Sequence, residues 1–132
     1  EKFYNRDFDF IIAIDFIEHL EKEDGQKLLD FIDKKAKIGA AIFTPNGFLY
    51  QPSVEEGDFM KHLSGWEGND FLKKGYKVCG ATGIKFLRKE FHEIKFKPKF
   101  FWSFISYLSQ IFLTKYFYKY AAAIWAIKEF NR

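Results

Sequence analysis

One cysteine, Cys79, stands in the 132 residues. No intramolecular disulfide framework can form, thiolates alone cannot cage a zinc ion, and a lone thiol fits a reducing compartment. Apolar runs long enough to span a membrane are missing too. The greasiest stretch, 100–120, is interrupted by Ser103, Ser106, Ser109 and Gln110 and is already too short. The glycines never form a dinucleotide fingerprint. "GATG" at 80–83 has the wrong spacing and no long helix after it, so it reads as a turn, and a nucleotide binder lacks the loop it needs. With no signal pattern, repeat, low-complexity tract or linker, residues 1–132 read as a single domain in the cytoplasm. The first residue is Glu rather than Met, so the chain is expected to be a piece of a longer protein.

What is abundant is aromatic and apolar. Apolar residues make up 48% of the chain and aromatics 21%, with 18 Phe, which excludes disorder and points to a densely packed interior. Net charge is +3 but divided unevenly: residues 1–72 carry 8 Lys/Arg against 15 Asp/Glu, and residues 73–132 carry 13 against 3. Such a division suits a protein whose halves complement one another, or a basic half facing nucleic acid or an anionic membrane.

"FDFIIAI" at 8–14 is short, β-branched and aromatic without a helical stripe, the pattern of a buried strand. Residues 22–35 place Leu28, Leu29 and Ile32 on one face, acids early and lysines late, which predicts an amphipathic helix stopped by Gly39. "AAIFT" at 40–44 is a second strand, ended by "PNG". Strand, helix and strand make a βαβ unit with a parallel sheet, and its ligands belong beyond the carboxyl ends of the strands. That rim holds 15–19 and 45–51. A turn-rich loop follows, then a short helix over 67–74 with Ser64 as its cap and Gly75 at its end, and a strand over 76–79. Residues 84–96 are ambiguous, 100–120 are aromatic at helical spacing after Pro98, and "AAAIWAIKEF" is a last strand.

"FDFIIAIDFIEHL", then a helix, "GAAIFTPNGFLYQ" and "HLSGWEGNDFLKKGYKVCGATGIKFLR" together resemble the C-terminal half of class I S-adenosylmethionine-dependent methyltransferases of the type 11 group. The similarity covers residues 7–88, and "AAAIWAIK" is similar to the final strand of that fold. The resemblance implies an α/β fold: strands four to seven of a Rossmann-like sheet, in spatial order four, five, seven, six with the last antiparallel, and flanking helices. The half of the family with the glycine-rich loop and the ribose-binding acid has no counterpart here, so this chain alone is expected to bind the cofactor weakly and to be inactive.

By the same resemblance Asp15, Phe16 and Ile17 flank S-adenosylmethionine, and Asp15, Glu18, His19 and His62 match in type and order a cluster that holds a divalent ion in small-RNA end methyltransferases. Carboxylates suit magnesium or manganese, and imidazoles shift the preference towards manganese, cobalt or zinc. The bland alternatives are a strand end, a helix N-terminus and a loop hydrogen bond. Asn46, Tyr50, Gln51, His62 and Trp66 are the candidate acceptor contacts, with turn chemistry the competing role for Asn46 and a loop anchor the competing role for Trp66. The reaction implied is methyl transfer to oxygen, nitrogen or carbon on a small molecule, a lipid precursor or a nucleic-acid end.

In the stretch 100–120, Phe101, Phe104, Ile105, Leu108, Ile111 and Phe112 form one side, flanked by Lys97, Lys99, Lys115 and Lys119. The commonest role for such a helix is to cover the sheet. An interfacial helix on an anionic membrane, a lid and a homodimer contact are the other roles open to it. The function opposed to an enzyme is a non-catalytic interaction module that keeps the methyltransferase half-fold and docks through this helix.

Overall fold

The computed structural model of the chain describes residues 6–52, 55, 57–89 and 93–130. Four strands make one mixed sheet: β1 (Phe8–Ile14), β2 (Ala36–Pro45), β3 (Lys77–Ile84) and β4 (Ala121–Glu129), in the order β1-β2-β4-β3. β1 and β2 run parallel, with Ile12 beside Ala41 and Ile14 beside Phe43. β4 is antiparallel to both its neighbours, pairing Phe43 on one side and Cys79 on the other through Trp125. The fold is α/β, with the strand order and the antiparallel last strand that were expected.

Helix α1 (Lys22–Lys35) connects β1 to β2 and buries Gly25, Leu29 and Ile32. Acids in its first turn and lysines in its last match the helix dipole. The expected glycine stop is not what ends it. The chain passes directly from Lys35 into β2, and Gly39 lies inside that strand. There the Phe10 ring and the Lys128 carbonyl come so close that a Cβ would sit 2.7 and 2.9 Å from them. Pairing with β1 thus overrides the breaker signal.

The core lies between the sheet and α1, where Ile17, Leu29, Ile32, Ile42, Trp66 and Phe71 are fully or almost fully buried. Helix α2 (Gly68–Leu72) brings Phe71 against Trp66, with centroids 5.6 Å apart. Its N-cap is Glu67 in a capping box with Asp70, not Ser64. Ser64 accepts the indole N–H of Trp66 instead, at 2.8 Å. Gly75, at φ +80°, ends this segment as expected.

Strand β3 continues through "GATG", which is therefore not a simple turn. The register slips between Ala81 and Ile84, where Thr82 and Gly83 both take positive φ, so the turn signal marks a bulge. Helix α3 (Lys99–Ser109) runs on into a π-helical turn, Gln110–Thr114. Among the described residues no helix is long and apolar enough to cross a membrane. Of the ambiguous stretch 84–96, residues 85–87 form a 3₁₀ turn and Arg88 bridges to Ile94, while Glu90, Phe91 and His92 lie outside the described residues.

The orientation of α3 reverses the expected one. Its polar side faces the protein: Ser106 and Thr114 are buried, Gln110 Nε2 donates to the Gly80 carbonyl and the Gly83 N–H donates to Gln110 Oε1, both at 2.9 Å. Phe101, Phe104, Ile111 and Phe112 face outward instead of covering the sheet. The reason is local. The bulge in β3 leaves backbone groups without ladder partners, and Ser106, Ser109 and Gln110 satisfy them.

Candidate metal centre at the sheet rim

Beyond the carboxyl ends of β1 and β2 lies a cavity of about 200 Å³ lined by Asp15, Glu18, His19, Gln51, Met60 and His62, with Pro45 and Leu49 closing it. Asp15 ends β1 in the left-handed region, φ 45°, and donates its N–H to the Phe43 carbonyl at 3.0 Å. Asp tolerates that conformation better than most residues. A 3₁₀ turn, Ile17–His19, follows; it sends Ile17 into the core and Glu18 into the cavity floor.

Glu18 is 2% exposed. Its Oε2 accepts the Thr44 hydroxyl at 2.9 Å, and its Oε1 is buried without a hydrogen-bond partner. Burial pushes the carboxyl above its ordinary range; its own N–H and the Thr44 hydroxyl oppose the shift, Asp15 adds to it and His19 counters it. An orphaned carboxylate oxygen in such a place is costly unless something positive meets it.

Two imidazoles cluster with the Glu18 carboxylate. One ligand atom from each of Glu18, His19 and His62 lies within 4.8 Å of the others. The rings pack edge to face with centroids 4.9 Å apart. His19 Nδ1 lies 3.1 Å from the Lys61 carbonyl and His62 Nδ1 3.1 Å from the Leu49 carbonyl. A carbonyl only accepts, so Nδ1 is the donor in both contacts. Metal-binding histidines are typically held in this manner by an acceptor behind the ring.

The loop that carries His62 is tied to the turn that carries Glu18. Leu63 and Ser64 both donate backbone N–H to the Glu18 carbonyl, at 2.8 and 3.0 Å. Gln51 Oε1 accepts the His62 N–H at 2.9 Å. Within this loop Ser53, Val54 and Glu56 are outside the described residues.

Of the residues singled out in the sequence, Glu18, His19 and His62 meet in one cluster, and Asp15 lines the same cavity without joining it. Neither a protein-family model nor a curated protein matches the sequence. The remaining candidates divide by exposure. Ile17 and Trp66 have no exposed surface, and Trp66 is held by the core, by Gly25 and by Lys22, whose ammonium sits 3.7 Å from the ring centroid. Asn46 is buried, its amide donating to the Tyr118 and Ala121 carbonyls at 2.8 and 2.9 Å, so it fastens the rim to β4. Gln51 is spent on His62, whereas Phe16 and Tyr50 are exposed.

Two features were not legible. Thr44 was only the end of an apolar run, although an alternating strand places it on the core side beside Glu18. The second is a neighbouring cavity that shares Pro45 and Leu49 with the first and gathers Lys85, Arg88, Lys89 and Lys95. The excess of lysine and arginine after residue 72 was its one signal.

Proposed function

We propose that the chain forms the acceptor side of an S-adenosylmethionine-dependent methyltransferase, the C-terminal part of a Rossmann-like sheet, and that Glu18, His19 and His62 hold a divalent cation there. The observation that carries the metal assignment is a buried carboxylate, Glu18, with Oε1 unpartnered, clustered with two histidines that are each held at Nδ1 by a carbonyl. One carboxylate with two imidazoles suits manganese, or cobalt or zinc, better than magnesium.

Two features of the sheet support the methyltransferase part. The strand order and the antiparallel last strand are those the family resemblance implies. β1, although in a parallel pair, is an edge strand with Phe10, Ile12 and Ile14 exposed on the face away from the core. Parallel strands are usually flanked and covered on both faces, so a further piece of sheet and helix on that edge would bury these side chains.

In this reading the cofactor supplies a methyl group already activated by its positive sulfur. Asp15 and Phe16 are the exposed residues at the β1 rim that would face it. A cation in the cluster would lower the pKa of an acceptor hydroxyl bound to it. The chain's own contribution is placement: the tied loops hold Glu18 and His62 at fixed separation, and alignment of acceptor and methyl group accounts for much of the rate in such transfers.

Isothermal titration tests both parts. Manganese titrated into the chain should bind, with binding lost in Glu18→Gln and His19→Ala. S-adenosylhomocysteine titrated into the complete gene product should also bind. Absence of manganese binding to the folded chain overturns the metal assignment, and absence of S-adenosylhomocysteine binding overturns the methyltransferase assignment.

A further inference from the structure

Helix α3 is amphipathic in the reverse sense of a helix that serves a core. Phe100, Phe104, Tyr107 and Ile111 follow one another at helical spacing, and all are exposed, Phe100 at 78% and Phe104 at 58%. Phe112 adds to the same outward side at 74%. The inward side is occupied by serines, Gln110 and Thr114 bonded to the β3 bulge, and glycines at 80 and 83 let the backbones touch. A Cβ at 80 would strike the Thr114 carbonyl, and one at 83 would strike Ser106. The helix is therefore fastened by polar groups while its hydrophobic side is presented to the surroundings. A folded chain keeps that much aromatic surface in water at a cost unless something apolar meets it.

Charge decides what meets it. Exposed Lys97 and Lys99 stand at the start of the helix, and exposed Lys115 and Lys119 just after its end. An aromatic ladder, Phe101 to Trp102 to Phe96 to Phe86 with centroid spacings of 5.3, 5.2 and 5.7 Å, links the helix to the cavity of Lys85, Arg88, Lys89 and Lys95. The apolar side is thus bracketed by positive charge. A second copy of the chain on this face would bring lysines against lysines. A bilayer carrying anionic lipid offers hydrocarbon to the rings and negative charge to the ammonium groups at once, and aromatic residues with lysines are the usual make-up of helices lying in that interface.

We propose that α3 and the π turn after it form an interfacial anchor that lays the protein on an anionic lipid surface, the rings of Phe100, Phe104 and Phe112 entering the headgroup region. The assignment stands on α3 and its lysines alone and does not rest on the methyltransferase reading.

The test is co-sedimentation of the full chain with vesicles of phosphatidylcholine mixed with phosphatidylglycerol, beside vesicles of phosphatidylcholine alone. Binding is expected to the mixed vesicles, weak on the neutral ones and reduced by salt. Because Phe104 and Phe112 are exposed, the double variant Phe104→Glu/Phe112→Glu should fold, checked by its far-UV circular dichroism, and lose binding. Lys115→Glu/Lys119→Glu should lose affinity by roughly tenfold or more. Failure of the folded wild-type chain to bind the mixed vesicles overturns the proposal. So does binding that both variants retain, or a dimer in solution that the Phe104→Glu/Phe112→Glu variant dissolves without any lipid binding.

Discussion

The Thr44 hydroxyl donates to Oε2 of Glu18 across 2.9 Å, joining the end of β2 to the turn after β1 and leaving the other carboxylate oxygen unbonded. A structural carboxylate would normally be satisfied on both oxygens. The asymmetry is therefore the basis for treating this buried acid as a ligand.

It follows that Glu18→Gln, which keeps shape and an acceptor for Thr44, should not destabilise the chain in metal-free buffer, because a desolvated acid is removed. In the wild-type chain manganese should raise the melting temperature as its concentration passes the dissociation constant, and in the variant it should not. Differential scanning fluorimetry with and without manganese reads both effects. A manganese shift that persists in Glu18→Gln would place the ion elsewhere.

Asp70 accepts the Glu67 N–H and pairs with Lys22 at 2.8 Å. Burial works to raise its carboxyl, but the N–H and the ammonium prevail and hold it below the ordinary carboxylate range. A depressed folded pKa contributes stability that is complete above the unfolded value and fades as pH falls through the folded one. Asp70→Ala should cost about 1 kcal/mol at neutral pH, a sum of lost capping and a partly exposed ion pair, and the difference from wild type should shrink below about pH 4. Urea melts at several pH values measure it.

Gly80→Ala sets a Cβ into the Thr114 carbonyl and Ala121. Backbone cannot yield as a flexible side chain does, so the expected loss is about 1–3 kcal/mol. Hydrogen exchange should show faster opening of residues 106–114, with α1 protected as before.

Trp66→Ala empties a site closed by Phe71, Gly25 and Lys22. The loss should be about 3–5 kcal/mol. Because the Trp66 carbonyl accepts the Gly47 N–H, a backbone bond that does not need the indole, manganese affinity is expected to fall less than stability does. Denaturation and metal titration on the same variant separate the two.

Where sequence and structure agree, the signal is local and repeated. The βαβ unit shows in the change from strand pattern to helical stripe over 8–44, and its topology alone brings 15–19 and 45–51 to one rim. His62 lies 43 positions beyond His19, and its place in the cluster depends on a loop tied down by backbone bonds that no side-chain pattern announces. Gly39 and "GATG" misled for one reason: a glycine permits either a turn or a close approach, and the approach depends on neighbours far along the chain. Hydrophobic periodicity located α3 but not its orientation, because the face that packs was selected by unpaired groups of the β3 bulge rather than by apolarity.

His19 is backed by the carbonyl of Lys61, the residue just before His62, and His62 by that of Leu49. Main-chain oxygens persist whatever side chain residue 61 or 49 carries. Point substitutions at those two positions therefore leave the ring orientations intact, so the cluster can drift in its surroundings without drifting in its aim. An insertion or deletion that changes the length of the loop, by contrast, would move both carbonyls and turn the rings away.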